Sequence, residues 1–136
     1  MNTIESLWNL DFSSDSASMP RDILAQQAKY LEEATRNILV GEVKTVVDNY
    51  NRQSNNGSNM LHGLVIKAPS LGNYQFTLLT VSQNLSVYPL ELTDNLSDRK
   101  WTIASEEEFI ARLADILGSH QVQKAIYSLT GPINQE

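Results

Sequence analysis

Four runs of β-favouring residues, 39–50, 60–68, 74–82 and 85–92, follow one another through connections too short for a parallel crossover. Parallel neighbours need a dozen or more residues between strands, usually a helix. Consecutive strands joined by a turn are therefore antiparallel neighbours. Side chains alternate within each run: Leu39, Gly41, Val43, Thr45 and Val47 share one side, and Val40, Glu42, Lys44 and Asp48 the other. Leu64-Val65-Ile66 breaks the alternation and suits a strand buried on both faces. The expected sheet is a four-stranded antiparallel meander. Pro89 lacks a donor N–H and places the run 85–92 at an edge. Trp101 and Ile103 fit a further short strand or a plug.

Helical patterns flank these runs. Leu24, Ala28, Leu31, Thr35 and Ile38 recur at helical spacing after Ser18 and Pro20, a cap and a first-turn proline. Ser105-Glu106-Glu107-Glu108 is a capping box. It precedes a stripe of Phe109, Leu113, Ile116 and Leu117 that ends at Gly118 as a C′ residue. Ser119 caps a last helix with the stripe Val122, Ala125, Ile126 and Leu129, stopped by Gly131-Pro132. The fold class is α+β, in the order α-β-β-β-β-α-α. Residues 19–136 form a single domain, and 136 residues suffice for one hydrophobic core. Residues 1–18 are an apolar arm and a polar tether. Trp8, Leu10 and Phe12 alternate with polar neighbours, and residues 13–18 are mostly Ser and Asp. Either the arm covers part of its own core or it docks on another chain.

The chemistry-bearing residues are sparse. Without cysteine there is no disulfide, thiolate metal site or thiol nucleophile. His62 and His120 fall in different elements, with no carboxylate at a ligand spacing, so no metal and no cofactor is expected. His62 alternates with Met60 and Leu64 and reads as a half-buried strand residue. The glycines are scattered and form no phosphate-binding pattern. No serine sits in a glycine-flanked strand-to-helix turn. A net charge of −6 repels nucleic acid, and no basic cluster offsets it. No apolar run approaches a membrane span, and no basic, apolar leader opens the chain, so a cytoplasmic protein is expected.

What remains is surface. Trp8, Tyr50, Tyr74, Tyr88 and Trp101 are of types enriched at interfaces, and Tyr74 and Tyr88 fall on runs expected to be neighbours. The first functional expectation is a non-enzymatic interaction module, dimeric in one version, whose partner is another protein or itself. Its contacts would be Trp8, Leu10, Phe12, Tyr74 and Tyr88. The element order is similar to that of small bacterial α+β proteins, secretion chaperones and immunity proteins among them, which implies an adaptor, chaperone-like or immunity-type role. The alternative is a small-ligand binder or weak enzyme with a pocket between sheet and helices, using His62, Tyr74 and Tyr88. A structural subunit of a larger assembly is the third.

Overall fold

The computed structural model describes residues 7–8, 19–48 and 59–131. The order of elements is α1 (Pro20–Ala34), β1 (Val40–Asp48), β2 (Asn59–Ala68), β3 (Tyr74–Gln83), β4 (Leu90–Asp94), β5 (Arg99–Ile103), α2 (Glu106–Leu117) and α3 (His120–Thr130). The α+β class and the helix–sheet–helix–helix order are as expected. The sheet has five strands rather than four, in the spatial order β1-β2-β3-β4-β5, with every neighbour antiparallel. The added strand contains Trp101 and Ile103.

The register fixes two faces. Gly41, Val43, Thr45 and Val47 align with Ile66, Leu64, His62 and Met60, and His62 aligns with Val81, which aligns with Leu92. That face carries the helices. Its core includes Leu24, Leu64, Ile66, Leu79, Val81, Leu92, Ile103, Phe109 and Ile116, all almost fully buried. The opposite face carries Glu42, Lys44, Val46, Lys67, Thr77, Thr80, Glu91 and Thr93, a half-polar surface of the kind an antiparallel sheet turns to water. The expected burial of Leu64-Val65-Ile66 on both faces is found. A bulge between Leu64 and Val65 sets Leu78 and Leu79 against one interval of β2, so two successive leucines of β3 are buried.

Helix α1 lies on β1 and β2. It approaches so closely that a Cβ at Gly41 would stand 2.6 Å from the Ala28 Cβ. After α1 the chain reverses through Arg36 and Asn37, both at positive φ, and enters β1. Helix α1 starts differently from expectation: its cap position is Met19, with no side-chain cap bond, while Ser18 lies outside the described residues. Helices α2 and α3 match their caps. Ser105 Oγ accepts from Glu108 N at 3.2 Å, and Ser119 Oγ accepts from Val122 N at 3.2 Å. Glu108 Oε2 reaches Ala104 N instead of the Ser105 amide, which shifts the box by one residue. Gly118 ends α2 with φ −89°, so it is not the left-handed C′ residue expected; Gly131, which ends α3, has φ +66° with ψ −171°, a positive-φ conformation open to glycine but not the left-handed helical one. Ser105→Ala is expected to lower stability by about 0.5–2 kcal/mol, read as a shift in the urea midpoint. An unchanged midpoint would mean that the first turn of α2 does not depend on this cap.

The run 85–92 is corrected more deeply. Strand β4 begins only at Leu90 and lies inside the sheet, between β3 and β5. Asn84 Oδ1 accepts from Ser86 N at 3.0 Å and from Ser86 Oγ, and this local turn takes the backbone out of the ladder. Val87 follows at φ +72°, and the Tyr88–Pro89 bond is cis. Pro89 thus precedes an interior strand and does not mark an edge; the edges are β1 and β5. No helix among the described residues is long and apolar enough to cross a membrane.

Candidate functional site

His62 is buried, at 3% exposure, rather than half-buried. The register brings Thr45 beside it from β1, and Gln83 reaches it from β3. Gln83 Nε2 donates to the Asn84 carbonyl, which turns Gln83 Oε1 toward the imidazole. His62 Nε2 therefore donates to Gln83 Oε1 at 3.2 Å, and Nδ1 accepts the Thr45 hydroxyl at 2.8 Å. Both ring nitrogens are satisfied in the neutral form. Burial pushes the pKa below the ordinary histidine value; the Gln83 bond opposes this, and the Arg21 charge at the start of α1 adds to the lowering.

This depression has a pH signature. Below the unfolded histidine pKa of about 6.5 the unfolded chain binds a proton that the folded chain refuses. His62's contribution is thus present above about pH 6.5 and is lost as pH falls toward its lower folded pKa. Stability should decline as pH falls below about 6.5, and His62→Gln should flatten that decline. A His62→Gln profile parallel to the parent's would show that His62 is not the group titrating.

Tyr74 and Tyr88 do not join His62. Tyr74 opens β3, seven positions before the residue that faces His62, or roughly 20 Å at a strand's rise. Its ring is half exposed, 6.2 Å from Phe76, and lines a separate groove of about 360 Å³ with Leu71, Leu96 and Leu129. Tyr88 lies in the turn before β4, so the two tyrosines are not cross-strand neighbours. Its half-buried ring packs on the core, and its hydroxyl is buried without a hydrogen-bond partner. Burial raises its pKa, and Glu106 at the start of α2 raises it further. The three residues proposed for a ligand pocket therefore occupy three places.

The concavity between sheet and helices is built from other residues. Ala28, Leu31 and Ala34 of α1 form one wall, and Leu117, Val122 and Ile126 of α2 and α3 the other. Leu64, Ile66 and Leu78 make the floor of this furrow of about 250 Å³. A second hollow of about 330 Å³, lined by Ile23, Gln26, Glu106 and Ile110, continues it along α1 and shares Gln27 and Leu117. No spacing rule reveals it, because its walls come from three helices whose relative placement is tertiary.

Two acidic groups, Asp94 and Glu42, are engaged in structure. Asp94 is buried; its carboxylate accepts from Leu96 N, Ser97 N and Ser97 Oγ and closes the β4–β5 turn. Glu42 is held below the usual carboxylate range by its bond to Lys67 on the open face. The guanidinium groups of Arg99 and Arg112 lie over the Trp101 ring, 5.2 and 4.9 Å from its centroid, and the Arg112 contact ties β5 to α2. No group of three or more metal-ligating side chains occurs among the described residues.

Of the arm, Leu7 and Trp8 are described and stand 89% and 79% exposed. Leu10, Phe12 and the tether lie outside the described residues, as does Tyr50. Comparison of the chain with protein-family models, curated proteins and solved structures gave no match.

Proposed function

We propose that this chain is a protein-interaction module with no catalytic chemistry of its own, presenting an aromatic N-terminal arm to another protein or to a second copy of itself. The observation that carries this reading is the exposure of Leu7 and Trp8, at 89% and 79%. Tryptophan is a residue type that anchors interfaces, and Trp8 leaves most of its surface to solvent. The titratable groups support the same reading: His62 is neutral and fully bonded, and Asp94 serves a turn. The net charge of −6 argues against a nucleic-acid partner, and the reading places the protein in the cytoplasm, away from membranes.

The test uses Trp101→Phe, which leaves Trp8 as the sole indole. Acrylamide should quench Trp8 freely in dilute protein and progressively less as concentration, or an added partner, covers the arm. Shielding already complete in dilute monomer would place the arm on its own body and overturn the reading. The furrow favours a second reading, a small apolar ligand held between α1, α3 and the sheet. Binding of a naphthalene-sulfonate dye that is lost in Ala34→Phe would support it, and dye binding indifferent to Ala34 would not.

A further inference from the structure

Strand β1 is an edge, and its two halves differ. Near its start Gly41 N donates to Glu32 Oε2, so a side chain of α1 holds an outward-facing N–H of the ladder. That bond sets the parity: Gly41, Val43, Thr45 and Val47 direct their N–H and C=O outward, and the even residues direct theirs at β2. From Lys44 to Val47 every residue is exposed, with Val46 at 57% and Val47 at 60%. An open edge with apolar side chains on both faces is a template for another strand.

We infer that this segment pairs with its own copy, antiparallel, about a two-fold axis at Val46. This deepens the interaction reading by naming one partner, a second copy of this chain. In that register Lys44 faces Asp48 of the partner subunit, Thr45 faces the partner's Val47, and Val46 faces the partner's Val46. Each Thr45–Val47 pair exchanges both N–H···O bonds, because both residues point outward, and Val46 falls on a close, non-hydrogen-bonded position. Lys44, Val46 and Asp48 lie on one face of the strand, so the axis sets Lys-Val-Asp against Asp-Val-Lys.

Other registers of the same parity do worse. Centring on Thr45 sets Glu42 against Asp48. Centring on Val43 gives Lys44 an acidic partner in Glu42, but it needs the Gly41 N–H that Glu32 occupies. The Val46 register joins two five-stranded sheets edge to edge. Its short contact makes a weak, concentration-dependent dimer.

The chain has no cysteine, so Val46→Cys carries one thiol. Paired Cα atoms about 4.5 Å apart meet the disulfide requirement. Lys44→Cys is the control, its thiols roughly 13 Å apart in this register. Under mild oxidation Val46→Cys should form a covalent dimer and Lys44→Cys should not. Lys44→Asp and Asp48→Lys should each weaken dimerisation about tenfold or more by opposing like charges, and the double exchange should restore it. Three results would overturn the inference: a Val46→Cys protein that melts like the parent yet stays uncrosslinked, equal crosslinking of Lys44→Cys, or dimerisation indifferent to the single charge changes. Trp8 quenching reads the arm separately. Shielding without crosslinking would sink the edge pairing and leave the arm-mediated interaction standing; crosslinking without shielding would leave the edge pairing standing and remove the arm from it.

Discussion

Phe109→Ala should lower the unfolding free energy by about 3–5 kcal/mol. Phe109 is the largest fully buried side chain among the described residues and sits in the first turn of α2, which Ser105 caps. Truncation removes aromatic surface from the core and leaves a cavity that the surrounding strands cannot fill without moving. The neighbouring position supplies the control. Ile110 is 47% exposed on the same helix, so Ile110→Ala should cost less than about 1 kcal/mol. Urea unfolding of the two variants checks the pair. Similar losses in both would mean that α2 is rotated from the face described.

Gly41→Ala is the second large effect, from the opposite cause. The new methyl would lie 2.6 Å from the Ala28 Cβ and 2.9 Å from its Cα. The obstacle is helix backbone, so no side-chain rotation relieves it and α1 must lift from β1. The expected loss is about 1–3 kcal/mol, as for other overpacked sites. The partner change Ala28→Gly costs about 1 kcal/mol by itself, but it should recover part of the loss when combined with Gly41→Ala. A double-mutant cycle with a favourable coupling of at least about 0.5 kcal/mol confirms contact. Additive effects would say that α1 crosses β1 elsewhere.

Much of this architecture is legible in local patterns. The helix stripes and the caps Ser105 and Ser119 are determined within a few residues of chain, and the strands show their own alternation. What escaped reading depends on competition or on distance. Leu85 to Tyr88 looks β-forming, yet the Asn84 side chain captures Ser86 and delays β4 to Leu90. The bulge at Leu78 and Leu79 hides because two adjacent leucines satisfy any strand reading. Thr45 and Gln83 lie 17 and 21 positions from His62, so its polar row emerges only when the strands are laid side by side. A usable signal was present, since all three occupy the helix-facing side of neighbouring strands. Gly41 carried one too: a missing side chain at an inward position beneath a helix that offers alanine. Tyr74 and Tyr88 misled because a shared residue type says nothing of shared location.

The described interior holds five strands under three helices, and the proposed reading assigns partner contact to the outside. Light scattering on the unaltered chain over a wide dilution series tests it most directly. The account predicts a mass that rises from one chain toward two as concentration increases, and that stays at one chain over the same range in Lys44→Asp. A single-chain mass at every concentration, with the Lys44→Asp protein indistinguishable from it, would contradict it.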